Sequence, residues 1–454
     1  MTTPVHTTRT VRYRGIPAHR YAWFIVILIW LTNMLSFFDR QAMAFAAPFI
    51  AKEIGYGTAT IGLITGIVFA SYAVAQIPGG RLADKFGQRR WVILGVVWWT
   101  IFSVLTGAVA HTLALLLIVR LCMGVGEGIV PPSTYRIIAN WFSTGKRTFA
   151  LGAMLTSATV GPALAPLIAA PIIATFDWRA VFYFSAIPGI VIAVLLWLWL
   201  RDSPSSLTTD PPSSADRNAS PSPEPRLSLR DLVTARLVMN TLAIFFLFFT
   251  LYGINAWLPT YLSVYRGLDL ERLAAFSSLP YVAGAIGMLI GAALCNGPLK
   301  DHRVGFVVAG TFGTALAILG VWAAPDAVIG EVFIVLALFC TYMIFGPAFS
   351  TPMDSVPTSG VGTYLGAINM APQIAGVVSP IIIGAIVGPD SFVPAFIAMV
   401  IALALSIACQ LWVANDDRRS RVIGASATET ALPGPGDATP ASSPTTDHQR
   451  KEVS

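Results

Sequence analysis

Charge is scarce in this chain of 454 residues: 11% of positions are Asp, Glu, Lys or Arg, against 55% hydrophobic, and the mean hydropathy is +0.70. Soluble domains carry about a quarter charged residues, so a water-soluble globular fold is excluded. Cysteine is scarce too. The four residues Cys122, Cys295, Cys340 and Cys409 fall on separate apolar runs without metal-ligand spacing, which leaves no disulfide framework and no metal site to expect. The five histidines, His6, His19, His111, His302 and His448, all avoid mid-span positions, so any proton crossing the membrane must travel on carboxylates. Neither a nucleophile triad nor ligand spacing for a cofactor is present, and "GVGEG" follows no strand, so an enzyme is not expected.

What the chain has in abundance is apolar sequence in runs of about 20 residues, each long enough as a helix to cross a ~30 Å hydrocarbon layer. They recur about twelve times between Tyr21 and Trp412. Barrel strands would be shorter and alternate in polarity, so the expected fold is an all-α membrane protein with twelve transmembrane helices. Arg9, Arg12, Arg14 and Arg20 precede the first span, and no small-residue cleavage site follows it. Arg81, Lys85, Arg89 and Arg90 follow the second, Lys146 and Arg147 the fourth, and Arg418, Arg419 and Arg421 the last. This bias puts both termini in the cytoplasm of a cell whose inner, plasma membrane holds the protein. It also accounts for the net charge of +6, so no nucleic-acid partner is implied.

The Pro- and Ser-rich stretch around "SPSSLTTDPPSSADRNASPSPEP" separates two blocks of six spans. The expected organisation is a cytoplasmic tail (1–20), a first six-helix half (21–203), a linker (204–231), a second half (232–414) and a disordered cytoplasmic tail (415–454). The halves repeat one another: "GGRLADKFGQRR" closes the second span and "GAALCNGPLKDHR" the eighth, with Asn296 opposite Asp84. Parallel six-helix halves are an architecture of secondary transporters, whose substrate site lies between them near mid-membrane. A lipid-embedded enzyme would need no such repeat.

"GRLADKFGQRR" resembles the loop signature between the second and third spans of the major facilitator superfamily. Together with "RLCMGVGEG", "DWRAVF", "RDSP", "FFDRQAMAFAAPFIAKE", "SYAVAQIPGG" and "WLPTYLSVYRG", it resembles the anion:cation symporter family of that superfamily. The resemblance runs from Tyr21 to Trp412 and implies proton-coupled carriage of sugar acids, aromatic acids or other organic anions, protons rather than sodium being the coupling ion. The fold it implies needs no partner subunit, so a monomer is expected. Asp84, near Arg81, Arg89 and Arg90, is expected to form a cytoplasmic gate of ion pairs that tunes the conformational equilibrium without touching substrate.

Intramembrane charges cost about 2.5 to 3.5 kcal/mol each on insertion scales and persist only where they find protein or water. The first span holds Asp39 and Arg40, the fourth Arg120 and Glu127, and the seventh only the neutral Tyr252 and Asn255; the charge cluster is expected in one half alone. Neighbours on a helix point about 100° apart, so one of Asp39 and Arg40 can line a cavity while the other meets an adjacent helix. Arg120 and Glu127, seven residues apart, share a face at about 10 Å along the axis. A purely structural ion-pair cluster is the alternative. The resemblance implies that these four groups recognise the anion and couple the proton.

A guanidinium fork suits a carboxylate and does not lose its proton, which makes Arg40 the candidate substrate ligand. Burial disfavours a charged carboxyl and a neighbouring arginine favours it, so Asp39 and Glu127 are the candidate proton carriers. Arg120 modulates these acids or is a second substrate ligand. Tyr72 and Gln76 resemble substrate-facing positions of the family, and Asn255, Asn369 and Gln373 are further polar candidates; helix-to-helix hydrogen bonding is the structural alternative for each. Two other functions are considered. Proton-antiport efflux has partial support from "VGPALAP", but the basic and acidic groups match in number, where a cation exporter would need an unpaired acid. A non-transporting solute sensor would need an output domain that neither linker nor tail resembles.

Overall fold

A computed structural model describes residues 12–13, 16–55, 57–109, 111–204, 234–350, 361–388 and 390–430. Near the start, β1 (Arg12–Tyr13) pairs antiparallel with β2 (Ile16–Pro17); among the described residues every later element is a helix. The first half consists of α1 (Ala18–Ile54), α2 (Thr58–Phe86), α3 (Gln88–Val109), α4 (Leu113–Trp141), α5 (Thr144–Leu155), α6 (Ser157–Thr175) and α7 (Trp178–Trp199). The second consists of α8 (Ala235–Thr260), α9 (Leu270–Asn296), α10 (Arg303–Ala323), α11 (Ala327–Met343), the short α12 (Phe345–Ser350), α13 (Val361–Ile386) and α14 (Val393–Thr430).

Eleven helical segments among the described residues are long and apolar enough to span a bilayer, and α11 at 17 residues is the remaining span of the twelve. The fifth span is broken at Thr156 between α5 and α6, within the Gly- and Pro-rich stretch of the sequence; its hydroxyl accepts from Trp30 Nε1 at 2.9 Å. The seventh ends in a π-turn, Tyr261–Tyr265.

Two expected boundaries move. α1 begins at Ala18, inside the expected tail, and α14 continues to Thr430, past Asn415 where a disordered tail is expected. No proline falls between Asn415 and Pro433, so no missing backbone N–H stops the helix in that stretch. The expected linker, apart from Pro204, and the rest of the tail lie outside the described residues.

Within the first half α2 packs on α4, α4 on α3, α3 on α7 and α1 on α6; within the second α9 packs on α11, α11 on α10, and α8 on α13 and α14. Across the halves α2 meets α13, α6 meets α9, and α1 meets α8. Exchanging the halves turns the α2–α13 contact into the α9–α6 contact, the signature of a two-fold repeat of six spans. The α2–α13 seam is tightest at the end of the molecule where α1 finishes. Gly62 leaves no room there for a side chain, since a Cβ would run into the carbonyl oxygen of Pro380, and Thr58 Oγ1 donates to Gly384 O at 3.1 Å. The two halves are in backbone contact at that end.

Candidate functional site

Between the halves lies a cavity of about 100 Å³ whose wall includes Arg40, Gln41 and Thr65 from the first half and Tyr252, Asn255 and Tyr342 from the second. Arg40 is the single charged side chain among the described residues that line it. Its guanidinium binds Glu127 of α4, with Nε donating at 2.7 Å and a terminal nitrogen 2.6 Å from the same carboxylate oxygen. The Glu127 side chain is wholly buried, while that of Arg40 keeps 13% of its surface accessible on the cavity side. Tyr72 lies against the guanidinium at 4.5 Å from ring centroid to Cζ, with Phe69 at 5.1 Å and Phe37 at 5.6 Å. An aromatic cradle therefore holds the fork in place through cation–π attraction.

Asp39 points the other way, as the 100° step from Arg40 requires. It is buried against α7 opposite Ser185, whose hydroxyl pairs with that of Ser103 at 2.9 Å. Arg120 shares this compartment and is not part of the cavity wall. Its guanidinium lies over the Phe182 ring at 5.4 Å and contacts Met123 Sδ at 3.0 Å, while Nε and one terminal nitrogen have no acceptor. Asp39 Oδ1 and Glu127 Oε1 likewise lack donors. The four charges thus divide into the Arg40–Glu127 ion pair at the cavity and, behind α1, Asp39 with Arg120, where Asp39 also meets the Ser185 hydroxyl and feels the Glu127 carboxylate.

The remaining sequence candidates divide. Asn255 lines the cavity; Tyr72 supports Arg40 from outside the lining; Gln76, one turn further along α2, stays out of it. Asn369 is exposed on α13, and Gln373 is half-buried with Oε1 unpartnered; neither reaches the cavity wall. Around the α2–α3 junction, Arg81 and Asp84 at the end of α2 and Arg90 at the start of α3 are exposed, and Asp84 makes no ion pair among the described residues. Arg89 instead joins the two signatures "GRLADKFGQRR" and "RDSP": its backbone N–H donates to Asp202 Oδ1 at 2.6 Å and its guanidinium to the carbonyl of Trp197.

Sequence reasoning missed three residues. Gln41 and Asn255 are bridged across the halves by the hydroxyl of Tyr281 on α9, whose single proton is shared between their amide oxygens at 2.9 and 3.1 Å; Tyr281 is fully buried and Gln41 Nε2 has no acceptor. Tyr281 was visible only as a lone phenol in an apolar run. Glu331 on α11 corrects the expectation that intramembrane charge is confined to the first half. It is buried, both of its carboxylate oxygens lack a partner, and nearby Arg266 is engaged instead with Tyr261 Oη at 2.7 Å and Ala324 O at 3.2 Å. A lone acid in "AVIGEVF" was its available signal.

Comparison with known proteins gives consistent matches. The family profile of the Major Facilitator Superfamily matches residues 29–380. A probable sulfoacetate transporter of Cupriavidus necator is 30% identical over 78% of this chain and 84% of its own length. The hexuronate transporter of Bacillus subtilis is 26% identical (80% of this chain, 87% of the relative), and a probable L-galactonate transporter of Escherichia coli 27% (80% and 82%). Among solved structures, a bacterial homologue of the human lysosomal transporter Spinster, crystallised inward-facing and occupied, superposes with a TM-score of 0.71 at 18% identity, covering 87% of this chain and 97% of that one.

Proposed function

Because the chain belongs to the major facilitator superfamily, we propose that it is a secondary active transporter that imports an organic anion, a sugar acid or aromatic acid carboxylate, by proton symport through alternating access. Relatives named as carriers of sulfoacetate, hexuronate and L-galactonate support an organic-anion cargo. The observation that carries the coupling is the Arg40–Glu127 pair at 2.6 Å on the cavity wall.

Arg40 has one fork, and Glu127 holds it in this structure. A cargo carboxylate that takes the fork strands Glu127 as a buried charge without a partner, a penalty of about 3 to 5 kcal/mol when such a pair is broken. A proton on Glu127 removes that penalty. Anion and proton therefore enter together, and the site's net charge is the same before and after. Release reverses the exchange: the anion leaves, Glu127 loses its proton and recaptures Arg40. Arg120, away from the cavity wall, serves as countercharge to Asp39 rather than as cargo ligand.

If Glu127 alone carries a proton for a monoanion, the cycle is electroneutral and each unit of pH difference contributes about 1.4 kcal/mol. If Asp39 carries a second, ~100 mV adds about 2.3 kcal/mol. With both termini cytoplasmic, the closed end is the outer one and the cargo path leads inward. Efflux of cations fits less well, since the charged group on the cavity wall is a guanidinium.

The test is Glu127→Gln in proteoliposomes. Counterflow exchange of the acid should persist while accumulation driven by an imposed pH gradient is abolished. Wild-type accumulation in the variant, or a requirement for sodium, would sink the coupling.

A further inference from the structure

Building on the anion-carrier reading, we infer that the cargo is a monoanion with a compact aromatic or otherwise apolar body, and not a polyhydroxylated acid or a dianion. The charge count comes first. Arg40 is the single cation among the described residues on the cavity wall, and Arg120 is buried behind α1, so a second anionic group would find no countercharge.

The walls come second. Phe37, Phe69, Phe248, Phe345, Tyr252 and Tyr342 enclose the cavity. They form a continuous belt across both halves: Phe69 of α2 meets Tyr252 of α8 at 4.7 Å between centroids, Tyr252 meets Phe248 at 5.7 Å, and Phe248 meets Phe345 at 5.5 Å. An apolar ring lying in that belt touches ring faces and edges on both halves at once. A polyol chain would surrender water from every hydroxyl and find few replacements there.

The polar groups come third, and they are largely engaged with the protein itself. Thr65 Oγ1 is spent on Ile61 O at 2.8 Å. The Tyr281 hydroxyl shares its one proton between the amide oxygens of Gln41 and Asn255, at 2.9 and 3.1 Å; Asn255 also bonds the Tyr342 side chain, and Gln41 is buried with Nε2 shut away from the cavity, so neither amide is free to serve a row of cargo hydroxyls. The volume, about 100 Å³, is of the order that holds one ring, since a cavity of roughly 150 Å³ takes up benzene.

The experiment is a binding panel on the purified full-length protein in lipid nanodiscs, with benzoate, phenylacetate, D-galactonate, D-glucarate and sulfoacetate titrated against intrinsic tryptophan fluorescence. Benzoate or phenylacetate should bind about tenfold or more tighter than the other three. Phe345→Ala should weaken phenylacetate and leave galactonate unmoved; should that variant not fold, the wild-type panel decides alone. Galactonate, glucarate or sulfoacetate binding as tightly as the aromatic acids, and losing affinity in Arg40→Ala, would overturn the cargo class and leave anion transport standing. Binding of no acid in an Arg40-dependent manner would overturn both.

Discussion

Arg40 concentrates three physical demands in one side chain: a permanent charge, a planar fork and a face for aromatic rings. Lysine keeps only the first. Arg40→Lys should therefore lose the bidentate hydrogen bonds and the stack on Tyr72, a change of about 1.5 to 3 kcal/mol, or roughly 10- to 150-fold in acid affinity. Titration of the favoured acid checks this, and an unchanged affinity would show that charge alone recruits the cargo. The sequence made Arg40, Asp39, Arg120 and Glu127 conspicuous because charge in an apolar run stands out against its background. It could not say which acid meets which base. That pairing depends on the rotation of α1 against α4 and α7, and rotation is set by packing of helices far apart in sequence. Glu331 carries the same signal, an acid inside an apolar run.

At the scale of helices, glycines decide how close two backbones come, and the same substitution should act differently at a seam that opens and one that stays shut. Gly62 of α2 abuts the carbonyl of Pro380 on α13 across the halves, whereas Gly124 of α4 abuts Val68 and Ser71 of α2 within one half. Gly62→Val should leave the protein folded but unable to close at this end, so that transport falls and spin labels across the α2–α13 seam move apart. Gly124→Val overpacks a permanent contact, at about 1 to 3 kcal/mol, and should lower the melting temperature. Equal thermal loss in both variants would deny α2–α13 its role as the moving seam. Helix existence was legible from hydropathy in every span. The break at Thr156 and the π-turn at Tyr261–Tyr265 were not, because Pro, Gly and Thr also occur in these spans without interrupting the helix.

For the molecule as a whole, the closed state depends on contacts that cross between halves, and one of them passes through the cavity wall itself. Tyr281 donates from the second half to Gln41 of the first while also reaching Asn255. Tyr281→Phe removes that bridge and leaves the packing volume in place. It should cost the closed state about 1 kcal/mol, roughly a fivefold shift in population, visible as faster labelling of a cysteine placed at the closed end. Labelling at the wild-type rate would remove the bridge from the closure.

Taken alone, the sequence determined the solvent, the span count, the repeat and the short list of charged residues, because transfer of an apolar or ionised side chain into lipid is a property of local composition. Only the tertiary structure decided that Arg40 pairs with Glu127, that Arg120 stays behind α1 with Asp39, and that aromatic rings from both halves wall the cavity. Those outcomes rest on contacts between residues tens to hundreds of positions apart, and distance along the chain carries no information about them until the helices are packed.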